Sequence, residues 1–132
     1  MILVDTNVLL DLVQDDPNWA DWSQHQLEVA AARDRLAINT VIYAELSVGF
    51  ARIEETDNFL DAAGITVLDI PRPALFLAGK AFREYKKRGG TRTGVLPDFF
   101  IGAHAAVAAV PLLTRDKGRY ENYFPTVDLI AP

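Results

Sequence analysis

Short apolar runs, too brief for helices, recur along this chain and are separated by longer stretches of helical periodicity. Ile2–Val4, Leu36–Ile38, Ile65–Ile70, Leu112–Thr114 and Val127–Ile130 read as strands. The first is wholly apolar and stops at Asp5, as expected of a buried central strand. Between these runs, Thr6 and Asn7 can cap a helix over Val8–Val13, and Asn18–Arg33 places Trp19, Trp22, Leu27 and Ala30 near helical spacing. Asn39 or Thr40 caps a helix to about Ile53, and Glu54–Ala63 forms another that stops at Gly64. Pro73–Lys87 and Pro97–Ala109 each open with a proline in the first turn, where it is tolerated. Arg88–Val95 holds three glycines and reads as a mobile loop. Strands alternating with helices predict an α/β fold, a parallel sheet covered on both faces, in one domain spanning residues 1–132. The functional crevice of such a sheet lies at the carboxyl ends of its strands, near a switch point in their order.

The chain has no cysteine, which removes disulfides, thiolate metal sites and cysteine nucleophiles from consideration. Its longest apolar stretch, Ile101–Leu113, is interrupted by Gly102, His104 and Pro111 and falls short of the ~20 residues a bilayer requires. Met-Ile-Leu-Val-Asp at the start carries no basic leader, so a cytoplasmic location without membrane contact is expected. The net charge of −5 is unevenly spread: residues 1–79 carry thirteen acids against four bases, residues 80–132 nine bases against five acids. That asymmetry suits a charged partner on one face; the net acidic balance does not exclude nucleic acid but argues against tight non-specific binding.

Four acids stand out. Asp5 ends an apolar strand where Val or Ile would fill equally well, although a helix cap is the ordinary use of such an acid. Glu45 sits inside the apolar stretch Ile42-Tyr43-Ala44-Glu45-Leu46, and a buried lone Glu is costly unless paired or bound to a cation. Asp98 occupies a first helical turn, where the dipole favours an acid in any case. Asp116 follows a strand in Thr114-Arg115-Asp116-Lys117-Gly118 and could be a plain turn acid. None identifies a site alone. Together, three lie at strand ends or a helix start that a doubly wound sheet can gather at one rim. Gathered carboxylates repel one another, and divalent cations relieve that repulsion. An all-oxygen donor set suits Mg²⁺ or Mn²⁺, not Zn²⁺, and the matching chemistry is phosphodiester hydrolysis by metal-activated water.

At this point the motifs resemble a known family. Val4-Asp5-Thr6-Asn7-Val8-Leu9-Leu10 is similar to the opening motif of PIN-domain nucleases. Tyr43-Ala44-Glu45-Leu46, Pro97-Asp98-Phe99-Phe100-Ile101-Gly102-Ala103 and Leu113-Thr114-Arg115-Asp116 resemble the second, third and fourth. The chain's size resembles VapC-type toxins of toxin–antitoxin pairs. This resemblance implies a three-layer α/β/α fold with a mostly parallel five-stranded sheet of order 3-2-1-4-5. It implies a homodimer, Mg²⁺ or Mn²⁺ as cofactor, and endonucleolytic cleavage of RNA such as tRNA or rRNA. A VapB-like antitoxin would block the site. By position, Asp5, Glu45, Asp98 and Asp116 take the catalytic, metal-ligating roles, with Thr6 and Thr114 as supporting hydroxyls. The fourth motif is the most variable of the family, and here Lys117, Gly118, Arg119 and Tyr120 follow it, so one-metal and two-metal sites fit equally.

Lys80, Arg83, Lys86, Lys87, Arg88 and Arg92 form a basic stretch with one acid, Glu84. As RNA-guiding residues we single out Lys86, Lys87, Arg88, Arg92 and Arg115; a solvated helix face is the plainer reading. Arg115, Lys117 and Arg119 border Asp116 and could contact phosphate or balance the acids. Trp19 and Trp22 face one way and suit core packing, with a share in an interface for one of them. His104 on an alanine-rich helix is a packed or surface histidine. A haloacid-dehalogenase-type phosphotransferase would want an acid where Asn7 stands, and a receiver domain an acidic neighbour that Asp5 lacks. The remaining rival is a catalytically silent PIN-like RNA-binding or scaffolding module, against which stand acids at all four positions.

Overall fold

The computed structural model describes residues 1–92 and 94–132; Thr93, within the stretch expected to be a mobile loop, lies outside the described residues. The strands are β1 (Ile2–Val4), β2 (Leu36–Asn39), β3 (Ile65–Leu68), β4 (Leu112–Leu113) and β5 (Leu129–Ile130). They form a single sheet of order β3-β2-β1-β4-β5 in which every pairing is parallel. Helices α1 (Thr6–Val13), α2 (Ala20–Arg33), α3 (Thr40–Leu46), α4 (Ile53–Ala63), α5 (Arg72–Lys87) and α6 (Leu96–Ala108) supply the crossovers and complete a three-layer α/β architecture.

The apolar runs take the positions their composition demands. All residues of β1, β2 and β4 are buried, whereas β3 and β5 lie at the edges and are partly open. The chain runs outward from β1 through β2 to β3, then returns to β4 on the other side of β1. The order therefore reverses between β1 and β4, and the residues just beyond those two strands, Asp5 and Thr114, face the switch point.

Beyond shifts of one or two residues at other element ends, two differences from expectation bear on the site. The helix expected to run from Asn39 or Thr40 to about Ile53 ends at Leu46, passes through a 3-10 turn at Ser47–Gly49 and restarts at Ile53. Phe50 is extended (φ −130°, ψ 150°), which brings its ring to 5.6 Å from Phe59, and a β-carbon on Gly49 would stand 3.0 Å from Val13 Cγ1. Tertiary packing against α1 and α4 thus breaks a stretch whose local composition allows a continuous helix. The second difference lies at the first helix, which begins at Thr6 instead of Val8 because the Asp5 carboxylate is itself the cap, accepting the Thr6 N–H at 2.7 Å.

Helix α6 is apolar nearly all round and lies in the interior: Phe99 and Ile101–Ala105 are buried. His104 is among them, a packed residue whose Nδ1 lies 3.1 Å from Asn39 Nδ2. Since Asn39 Oδ1 accepts the Ile42 N–H at 2.9 Å, the Asn39 amide donates to His104, which fixes the Nε2–H tautomer. Burial lowers the His104 pKa and keeps the ring neutral, as that bond requires. Asn39 therefore pins the start of α3 to the middle of α6, the two helices that carry Glu45 and Asp98.

Candidate metal centre

Asp5 is 2 % exposed, at the end of β1. Its Oδ2 accepts from Thr114 Oγ1 and from Tyr120 Oη, each at 2.8 Å, and more weakly from Asn7 Nδ2 at 3.4 Å. Among the described residues its Oδ1 accepts only the Thr6 N–H, which leaves that oxygen with a lone pair to offer. Burial pushes the Asp5 carboxyl up, against the Thr114 and Tyr120 hydroxyls, the Thr6 N–H and the charge of Arg119. The Tyr120 phenol, fully buried beside Asp5, is pushed well above its ordinary range by burial and by the Asp5 and Asp98 charges, so it acts as a neutral donor.

Glu45, half-buried on α3, accepts from Thr6 Oγ1 at 2.6 Å. Burial raises its pKa, the Thr6 hydrogen bond lowers it, and the nearby Asp5 raises it again. Asp98, in the first turn of α6, is pushed up to about 6 by burial, with Arg119 opposing and Asp5, Glu45 and Asp116 adding repulsion. Asp5, Glu45 and Asp98 are thus brought within reach of one another's charge by three separate elements. Glu45 and Asp98 line one crevice of about 740 Å³ together with Thr91, Arg92, Gly94, Val95 and Arg119.

Asp116 stands at the rim. Its N–H donates to Thr114 Oγ1 at 3.0 Å, and its carboxylate meets Arg119 Nε at 2.7 Å. Arg119 Nη1 also lies 3.5 Å from Asp98 Oδ1. Burial disfavours the Arg119 charge, yet Asp98, Asp116 and Asp5 outweigh that and raise its pKa. Among the described residues no three His, Cys, Asp or Glu side chains close into a ready-made ion cage; Glu45 and Asp98 border an open crevice together with the Arg119 guanidinium. The donor set nonetheless fits a hard divalent cation: oxygen ligands only, mutually repelling, and already drawing a cation from their own chain.

Thr6 and Thr114 hold carboxylates through direct hydroxyl donation. Lys86, Lys87 and Arg88 are exposed at the end of α5, with Arg88 paired to Glu84 at 3.1 Å and lying over the Tyr123 ring. Arg92 lines the acidic crevice. Arg115 points elsewhere: its Nε lies 3.1 Å from the buried Asp11 Oδ2, and its guanidinium covers Trp19. The Arg115 Nε–H is poorly aligned for a hydrogen bond, so the contact is a charge pair. Trp19 and Trp22 meet edge to face at 5.7 Å, both half-buried, with Trp22 against the core.

Tyr120 and Asn7 are residues to which the sequence assigns no part in the site, Asn7 being expected only as a helix cap. A tyrosine in the charged run Lys117–Asn122, four residues before Phe124, has the spacing of an inward-facing pair, and both are buried.

The raised Asp98 pKa has a measurable consequence in ion-free protein. A carboxyl raised in the folded state contributes stability below its unfolded value of 3.8, and that contribution is lost as pH rises through about 6. Asp98→Asn should therefore melt with wild type near pH 4 and above it at pH 7, by about 1–2 kcal/mol after allowance for solvent screening. Thermal melts in chelator across that range check this; a gap that shrinks towards pH 7 contradicts it.

Fold and crevice together define a parallel α/β domain with an acidic site at its switch point. The PIN domain family model matches residues 2–124, and the chain belongs to the PIN domain family. Among solved structures it is similar to a chain of VapBC2 from Rickettsia felis bound to a DNA fragment from their promoter, at 23 % identity and TM-score 0.74, covering 99 % of this chain and 98 % of that one. A chain of VapBC-1 from nontypeable Haemophilus influenzae aligns at 20 % identity and TM-score 0.73, with coverage of 99 % and 98 %. A toxin–antitoxin complex from Klebsiella pneumoniae contains a chain at 24 % identity and TM-score 0.70, with coverage of 96 % and 95 %. No curated protein matches in sequence.

Proposed function

We propose that this protein is an endoribonuclease dependent on Mg²⁺ or Mn²⁺ and the toxin of a VapBC-like toxin–antitoxin pair, acting in the cytoplasm on an RNA such as tRNA or rRNA. The observation that carries this reading is the gathering of three acids from three elements: Glu45 and Asp98 line one crevice, Asp5 lies close enough for its charge to raise both, and burial pushes all three carboxyls up. Asp5 through Oδ1, Glu45 and Asp98 would hold the ion, with Asp116 at the rim. A bound divalent cation there supplies charge for the phosphate and acidity for a water.

The protein's own residues do the rest. Thr114 and Tyr120 fix the Asp5 carboxylate by occupying one of its oxygens. Thr6 orients Glu45 in the same way. Arg92 on the crevice wall and Lys86, Lys87 and Arg88 on the adjoining helix end offer positive charge along an RNA backbone's approach. Arg115 contributes less, because its charge already serves Asp11.

Partner proteins find support in the surface. An apolar groove of about 310 Å³ lined by Leu9, Leu12, Leu27, Phe59 and Ala62 suits a hydrophobic segment of a VapB-like antitoxin. Leu75 and Phe76, 42 % and 69 % exposed on α5, suit a homodimer contact. Among the described residues no helix is long and apolar enough to cross a membrane.

Incubation of the purified chain with total RNA should give discrete fragments in Mg²⁺ or Mn²⁺ and none in excess chelator. Equal cleavage with and without chelator contradicts the metal-dependent reading, and no cleavage in either metal favours the silent module.

A further inference from the structure

The short turn Lys117–Arg119 folds an arginine back over two of the acids. Its Nε lies 2.7 Å from Asp116 Oδ2 and its Nη1 3.5 Å from Asp98 Oδ1. Among the described residues, these are the only ion pairs that Asp98 and Asp116 make. We propose that Arg119 is a displaceable counter-ion: its guanidinium stands where a divalent cation neutralises the acids, so ion binding and the Arg119 pairing compete. This rests on the metal-site reading above.

Arg119 is built to leave. Its side chain is 45 % exposed and borders the open crevice, so the guanidinium can move into solvent without vacating a packed cavity. The longer of its two contacts is to Asp98, the more buried partner, at 22 % exposure against 43 % for Asp116. Arg115, four residues earlier, shows the opposite construction. It pairs with an aspartate only 2 % exposed and is covered on one side by Trp19. One segment thus carries a fixed arginine that holds the fold and a loosely held one among the acids.

Arg119 therefore sets the ion affinity of the site. While it pairs with Asp98 and Asp116, an incoming cation meets less negative charge and must displace it. Without it, the acids bind the ion more tightly but repel one another when the ion is absent. A purely structural arginine has a different signature, since its loss lowers stability without strengthening ion binding.

Calorimetric titration of Mn²⁺ into wild type, Arg119→Gln, Arg119→Lys and Lys117→Gln at pH 7, with melting in chelator alongside, separates these cases. Lys117 is exposed in the same turn and pairs with no acid among the described residues, so it reports the general field. We expect Arg119→Gln to bind Mn²⁺ about tenfold tighter and to melt lower when ion-free, with Arg119→Lys in between and Lys117→Gln within about twofold of wild type. Unchanged or weaker binding by Arg119→Gln overturns the proposal, as does an equal gain in Lys117→Gln. Asp98→Asn in the same titration tests the underlying site. If it binds Mn²⁺ as wild type does, the ion site itself is misassigned and the role given to Arg119 falls with it.

Discussion

Asp5→Asn and Asp98→Asn should each lower metal-dependent RNA cleavage by about a thousandfold or more, while moving thermal stability in opposite directions. Both changes replace a carboxylate of the proposed ion site. Their structural settings differ. Asp98 is a half-buried acid whose one cationic neighbour among the described residues, Arg119, lies 3.5 Å away, and burial and repulsion already disfavour its charge. Neutralising it removes a penalty, so the ion-free variant should melt a few degrees higher at pH 7, on the order of 3–6 °C. Asp5 is a buried acceptor for Thr114, Tyr120 and the Thr6 N–H. An asparagine has one acceptor oxygen, so either the two hydroxyls or the helix cap must face an amide donor. That loss costs about 1–3 kcal/mol and lowers the melting temperature. The acid sequence alone suggests that both substitutions preserve or raise ion-free stability, because each relieves repulsion. The hydrogen bonds on Asp5 reverse that expectation for one of them. Single-turnover cleavage and melts in chelator check both halves; full activity in either variant removes that residue from the site.

Gly102→Ala should destabilise the fold by about 2–4 kcal/mol and lower the melting temperature by on the order of 10 °C. Gly102 is buried in α6, and a β-carbon there would come within 2.3 Å of Phe124 Cδ2 and 2.5 Å of Cε2. The Phe124 ring is 3 % exposed and packs against Phe99 at 6.1 Å, so it cannot swing out freely. To relieve the clash, α6 or the C-terminal segment must shift, and Asp98 lies one turn before Gly102 on the same helix. Cleavage should fall as well, even where the variant remains folded. Gly79→Ala on α5 is the matched control. Among the described residues a β-carbon there meets nothing within 4 Å, so the helix should gain about 0.5–1 kcal/mol. Equal stability of Gly102→Ala and wild type would show that Phe124 yields more readily than its packing implies.

Those two positions mark what the sequence conveys and what it withholds. The parallel pairing follows from short apolar runs alternating with helices, a property of pattern, whereas the strand order follows only from the family resemblance. Asp5 at the end of β1 is legible for the same reason, since a carboxylate closing an apolar strand contradicts burial and marks the strand's carboxyl end. The broken helix after Leu46 is not legible locally. Gly49 against Val13 and Phe50 against Phe59 are long-range contacts that decide the break. The same holds for Tyr120, whose phenol reaches an acid 115 residues earlier. Arg115 and Arg119 are equivalent on paper, two bases flanking one acid. Only the fold sends the first to Asp11 and the second to Asp98.

Anomalous diffraction from crystals soaked in Mn²⁺ tests most directly whether these acids share an ion. The account predicts a peak in the crevice within coordination distance, about 2.0–2.3 Å, of oxygens from at least Asp5 and Asp98, with Arg119 withdrawn from Asp98. Manganese bound elsewhere, or absent from the crevice while Arg119 keeps both its partners, would contradict it.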